Sequence, residues 1–322
     1  DLNGHKEIYF GSDNDALHGY NAFGEELTGF PFQSTDRVRS SPAIGDVDND
    51  GDLEIVFGNS SGKLYVINQD GSQQLAYTQL GFIEGSPALV DIDGDQDLEI
   101  VFTTTTGSGG QLYVIHHNGI TESGFPIELG SMFVGPAVHD LDNDGVVDVV
   151  CVTYDKEVYV IEAVGGAIKP GFPFTAESRF SMPATIVDVD SDGDYEIAAG
   201  CNSGDLYVLQ HDGTVFAQYD TGDDVRGGIS VADLNNDGQL DLLFGGYDDK
   251  IHVWDPVANE LLPGWPVDLG YNSLSEPVLA DLDGDGQIEV LAARKTGKVF
   301  AYESDGTLMG NFPISVDGSI ES

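Results

Sequence analysis

The chain has 322 residues and is 40% hydrophobic, enough to build a core, which excludes a disordered acidic tail. Its 56 acidic residues face only 12 Lys and Arg, a formal net charge of -44, which excludes nucleic acid and anionic membrane as partners of the surface as a whole. Two cysteines make no disulfide framework; Cys151 and Cys201 share strand parity and are expected to be free, buried thiols.

One nine-residue phrase organises the chain: Asp-x-Asp/Asn-x-Asp, a turn, then Asp or Glu in ninth place. An incomplete copy comes first, at residues 1–8 (DLNGHKEI), two residues short and expected to be degenerate. The first full copy has Asp46, Asp48, Asp50, Asp52 and Glu54. The second has Asp91, Asp93, Asp95, Asp97 and Glu99, with Gln96 where glycine usually stands. The third has Asp140, Asp142, Asp144, Val146 and Asp148. The fourth has Asp188, Asp190, Asp192, Asp194 and Glu196. The fifth has Asp233, Asn235, Asp237, Gln239 and Asp241, one charge poorer. The last has Asp281, Asp283, Asp285, Gln287 and Glu289. These loops hold nearly half of the 56 acidic residues.

The spacing carries chemistry. Acids at positions one, three and five of a curled loop aim at one point. The residue in seventh place adds a backbone carbonyl, and the ninth closes the shell. An all-oxygen, highly charged and flexible cage suits Ca²⁺ better than Mg²⁺, and it offers zinc or copper no soft ligand. About six Ca²⁺ ions are expected. An EF-hand keeps its last acid at position twelve and continues into a helix. Here runs such as LEIVFG follow, which read as strand.

The copies recur at intervals of 45, 49, 48, 45 and 48 residues. Each repeat offers four short strands. The first follows Pro42, Pro87, Pro136, Pro183 or Pro277 and leads into the acidic loop. The second follows the loop, and a third follows a Gly/Ser/Asp turn, as in Leu64-Tyr65-Val66-Ile67. After a hairpin signal such as Asp70-Gly71, a fourth strand region carries Phe30-Pro31, Phe125-Pro126, Phe172-Pro173, Trp265-Pro266 or Phe312-Pro313. Proline there fits an outer edge. Four strands per repeat at this period predict an all-β, seven-bladed propeller in one domain, residues 1–322, with the acidic loops joining strands one and two of each blade.

The first blade lacks its innermost strand in this sequence. Residues just outside the sequence are expected to supply it or leave its place partly open. The two termini are then expected side by side, within about 15 Å given the reach of a few extended residues.

Phe57-Gly58, Phe244-Gly245 and Ser41-Pro42, joined to the acidic loops, resemble FG-GAP or VCBS-type repeats. Such repeats build the propeller of integrin α subunits and of many secreted bacterial proteins. The resemblance implies calcium at the first, third, fifth and ninth acids. It assigns no single ligand or reaction.

Ten of the twelve basic residues fall in loops on the side away from the acidic loops, among them Arg37, Arg39, Arg179 and Arg226. One position, three residues before the proline, leads each chain segment into its first strand. Counting so selects Arg39, Glu84, Phe133, Phe180 and Arg226 as candidate ligand contacts, with Leu274 and Ile320 as packing. No HExxH, GxSxG or phosphate loop is present, and His252 takes the place of a core tyrosine. The expected function is therefore calcium-stabilised binding or adhesion, with a glycan or an extracellular protein as partner. The alternatives are a polysaccharide lyase or hydrolase on the same face, or a purely structural spacer. Millimolar calcium places such a module outside the cell, secreted or at the cell surface. No signal peptide or membrane span is read, and the chain looks like part of a larger secreted protein.

Overall fold

The computed structural model describes residues 6–320. It contains no α-helix, and so none long and apolar enough to cross a membrane. Every regular element is a β-strand, because alternating apolar residues and β-branched runs recur between turn formers.

The strands form seven sheets, one per repeat. The second is representative: Ala43–Gly45, Glu54–Gly58, Lys63–Asn68 and Gln73–Thr78, each antiparallel to the next. Its two middle strands are buried along most of their length, while the fourth alternates exposed and half-buried. An acidic loop joins the first strand to the second in each of the later sheets as well. Among the described residues the first sheet has three strands, Ile8–Ser12, Ala16–Tyr20 and Phe32–Gln33, with no inner one. That shortfall is the expected one. Residues 1–5 of the acidic stub and residues 321–322 lie outside the described residues, so the closing arrangement does too.

The fourth strand follows the proline rule. The X–Pro bonds at Pro31, Pro126, Pro173, Pro266 and Pro313 are cis, and each is followed by a strand of two or three residues. The second and fifth sheets have no such proline, and their fourth strands run six residues, Gln73–Thr78 and Val215–Asp220. Proline has no N–H to give the ladder, so it shortens the strand it precedes. In the sixth sheet the interruption leaves two pieces, Glu260–Leu261 and Val267–Asp268, both paired to Lys250–Asp255.

The chain divides into two compact units: Asp1–His139 with Gly145–Lys169, and Asp140–Asp144 with Pro170–Ser322. In the first, Val56, Leu64 and Val66 pack with Ile100, Phe102 and Tyr113 of the next sheet. A second layer joins Val101 and Leu112 to Val149 and Cys151. In the second unit, Ala198 and Val208 pack with Leu242, Phe244 and Trp254, and Leu243 and Val253 with Val290 and Tyr302. Paired aromatics on the two middle strands stack, Phe57 on Tyr65 at 5.2 Å and Phe102 on Tyr113 at 4.9 Å between centroids. His252 fills that place in the sixth sheet. It stacks on Phe244 at 5.3 Å and is 2% exposed, bonded to Asp248 at 2.9 Å and Tyr219 at 3.1 Å. Cys151 and Cys201 are free and buried, and burial pushes the Cys151 thiol up to about 12.

Candidate metal centres and the loops entering each sheet

Each acidic loop is curled by its own first residue. Asp46 accepts hydrogen bonds from the N–H of Asp50 at 3.1 Å and of Gly51 at 3.0 Å. Asp50 accepts from Asp52 N–H at 2.9 Å, and Glu54 from Val47 N–H at 3.0 Å. The same bonds recur in the fifth loop, from Asp237 and Gly238 to Asp233 and from Leu234 to Asp241. Gly51 turns the loop with φ of 96°. Gln96 stands at the same point in the second loop with φ of 81°, an uncommon conformation for a residue with a Cβ.

The curl gathers carboxylates. Oxygen atoms lie within 4.8 Å of one another in five groups: Asp46, Asp48, Asp50; Asp91, Asp93, Glu99; Asp140, Asp142, Asp144; Asp188, Asp190, Glu196; and Asp281, Asp283, Asp285. The fifth loop does not join these five, since its third position is an amide, and Asn235 Nδ2 donates to Asp237 at 2.9 Å. Asp48 Oδ1, Asp188 Oδ1 and Glu289 Oε1 are buried without a hydrogen-bond partner among the described residues. A buried anionic oxygen without a donor is costly, and a hard cation would satisfy it. Donor set and geometry therefore fit Ca²⁺.

The ninth residues are buried, each 2% exposed or less. Without a cation, burial pushes the carboxyls of Glu54 and Glu196 up to about 7, and that of Asp241 up to about 6, with the loop aspartates adding repulsion. Folded values then lie above the ordinary 4.5 of Glu. The native protein holds more protons than the unfolded chain from about pH 4.5 to 7, so its ion-free stability falls as pH rises through that window. The expected result in EDTA is a lower urea midpoint at about pH 7.5 than at about pH 5, and an equal or higher one would refute the burial argument.

Several neighbours of these loops are not legible in sequence spacing. His116 bridges Glu99 at 2.9 Å and Glu122 at 3.1 Å. His117 meets the seventh-place Asp97 at 3.0 Å. Lys169, 8% exposed, places Nζ 2.9 Å from Asp148.

The loops entering the inner strands bring charges together. Arg39 bonds Asp13 at 3.0 Å and approaches Glu84 at 3.7 Å. Arg226 pairs with Asp224 at 3.0 Å and lies 4.9 Å from the Tyr247 ring centroid. With its amide oxygen toward the arginines, Asn202 accepts from Arg179 at 3.1 Å and from Arg226 at 2.6 Å. Asp13 beside Arg39, and Asn202, Asp224 and Tyr247 beside Arg226, carry no motif. Phe133 is half-buried, 4.6 Å from the Tyr154 ring.

Phe180 requires a correction. Its proline, Pro183, stands one place earlier relative to the acidic loop than in the other repeats, so counting from proline slips the register by one. Counted from the acidic loop instead, Phe180 stands eight residues before Asp188, as Val38, Ile83 and Val225 stand before Asp46, Asp91 and Asp233. Phe180 belongs to that row with Val38, Ile83 and Val225, all at most 2% exposed. It packs in the core, and Ser181, bonded to Asn202 at 2.9 Å, is the true counterpart of Arg39 and Arg226.

FG-GAP-like repeats match residues 46–102, 91–151 and 233–292, together more than half of the chain. The chain therefore belongs to the FG-GAP-like repeat family. No curated protein matches the sequence. Among solved structures it is similar to the biofilm matrix protein Bap1 of V. cholerae, with 14% identity, a TM-score of 0.70, and 99% of this chain and 79% of that one covered. It is also similar to Sqt1 of Saccharomyces cerevisiae, with 15% identity, a TM-score of 0.72, and coverage of 98% and 84%. A third is BamB of Moraxella catarrhalis, with 16% identity, a TM-score of 0.65, and coverage of 97% and 86%. At these identities the likeness is one of fold, and the shared fold is the β-propeller.

Proposed function

We propose that this chain is a calcium-stabilised extracellular binding or adhesion propeller. The gathering of carboxylates in five of its loops carries the reading, supported by buried oxygens that lack a donor. Calcium when bound supplies charge neutralisation and takes six to eight oxygen ligands. The first, third, fifth and ninth residues of each loop hold it, with the seventh-place carbonyl. The family and the likeness to a biofilm matrix protein support an adhesive role outside the cell. The partner is a glycan or an extracellular protein. It meets the loops entering the inner strands: Arg39, Glu84 and Phe133 in the first unit, and Arg226 beside Tyr247 in the second. Arginine beside a partly exposed aromatic is a common anchor of recognition surfaces.

The sites are not equal. The fifth loop, with Asn235, is expected to be the weakest. Asn235→Asp adds a charge at short range and is expected to tighten that site by about tenfold or more. Native mass spectrometry at limiting calcium reads the order of filling, and a fifth loop that fills first would overturn the ranking.

Binding itself is tested on glycan and extracellular-matrix protein arrays, with and without calcium. A hit that Arg226→Ala and Arg39→Ala reduce is the expected result. Hits indifferent to both substitutions would remove the entry loops from the function.

A further inference from the structure

The third repeat carries a site of its own. In the other six, eight residues separate the paired positions of the two middle strands, as between Phe57 and Tyr65 or Phe244 and His252; Phe102 and Tyr113 are eleven apart. The additional residues lengthen the second strand to Glu99–Thr105 and raise a hairpin through Thr106, Ser108, Gly109 and Gly110. Insertions in a single repeat mark the places where a repeat protein departs from pure scaffolding.

The hairpin opens a pocket. Thr104 stands opposite Gln111, and Gln111 opposite Glu128, so three polar side chains form a row on one face of the sheet. With Thr106, Ser108 and Leu80 they line a pocket of about 380 Å³, within the range of small-molecule sites. Thr104 is 1% exposed, and its Oγ1 has no hydrogen-bond partner among the described residues. Gln111 Oε1 accepts from Tyr113 Oη at 2.6 Å, which leaves the amide nitrogen as the group to donate. Leu80, 82% exposed, offers an apolar wall. The lining contains a carboxylate and no Lys, Arg or His.

We propose that this pocket binds an uncharged sugar unit, a neutral hexose or an N-acetylated hexosamine. Hydroxyl and amide groups on one side and an aliphatic wall on the other match the two chemistries of a pyranose, its hydroxyls and its C–H face. Thr104 Oγ1 gains the partner it lacks. Glu128 accepts from a ligand hydroxyl and repels uronates, sulfates and phosphates, as does the charge of the whole chain. Leu80 comes from the same entry loop as Glu84, but the lining includes none of Arg39, Glu84, Phe133 or Arg226.

Isothermal titration of the calcium-loaded full chain tests it, with neutral glucose disaccharides, N-acetylated hexosamine disaccharides and an oligogalacturonate as probes. Saturable binding of a neutral or N-acetylated probe, and none of the uronate, is expected. Thr104→Val keeps the shape but loses the hydroxyl, and is expected to weaken binding about tenfold. Glu128→Gln and Leu80→Ala, both at exposed positions that do not endanger folding, are expected to weaken it as well. No saturable binding of any uncharged probe, or tighter binding of the uronate, overturns the proposal. Loss of binding in Arg226→Ala with none in Thr104→Val, Glu128→Gln and Leu80→Ala overturns it too. That last outcome would place the sugar at the entry loops and leave the adhesion reading intact.

Discussion

Chelation with EDTA is expected to lower the thermal unfolding midpoint steeply, and added Ca²⁺ to restore it. Close carboxylate pairs in each loop repel by roughly 4 kcal/mol at an effective dielectric of 20, before relaxation. An ion held at about 100 times its dissociation constant contributes about 2.7 kcal/mol per site when the unfolded chain does not bind it. Five carboxylate groups of this kind approach the whole net stability of a typical domain, about 5–15 kcal/mol. Superposable melting curves with EDTA and with Ca²⁺ would end the metal reading. Asp48→Ala and Asp188→Ala each remove a buried oxygen without a donor, and each is expected to cost one bound ion by native mass spectrometry. An unchanged ion count in both variants would separate the carboxylate groups from metal binding.

Gly29→Ala and Gly171→Ala are expected to destabilise the protein by about 2–5 kcal/mol, combining a left-handed backbone with a steric clash. Gly29 has φ of 89°, and a Cβ there would stand 1.9 Å from the carbonyl oxygen of Asp70 in the next sheet's hairpin. Gly171 repeats the geometry with φ of 94° and 1.9 Å to the oxygen of Asp212. Both obstacles are backbone, which yields little. Gly24, with φ of 77° and nothing within 4 Å, isolates the conformational part. Gly24→Ala is expected to cost only about 1 kcal/mol. Urea midpoints measure all three, and equal losses at Gly24 and Gly29 would show that the contact between sheets contributes nothing.

The glycine before four of the five aromatic-proline pairs thus seats one sheet against the next, and Asn311 stands before the fifth. It is visible in the sequence only as part of a turn signal. Its contact with the following hairpin is a matter of distance between repeats, which no local pattern encodes.

The repeat pattern determined most of the architecture. Acids spaced by two, then β-branched runs and hairpin signals, are local properties, so loops, strand order, sheet count and the missing inner strand of the first sheet were legible. Burial of His252 followed from its place in a row of tyrosines. The sequence alone also pointed to the loops that gather carboxylates, three acids in each of five of the six, because a curled loop brings its own residues together. Tertiary structure decided the rest. Phe180 was misplaced because one proline is shifted, and its burial with Val38, Ile83 and Val225 exposes the slip. Asn202 and Tyr247 meet Arg226 across strands far apart in sequence. Lys169 reaches Asp148 from beyond the third strand. The division into two compact units, and the pocket opened by three additional residues in one hairpin, depend on how neighbouring sheets pack. Packing is set by volumes and contacts summed over distant segments, and so it is readable only once the chain has folded.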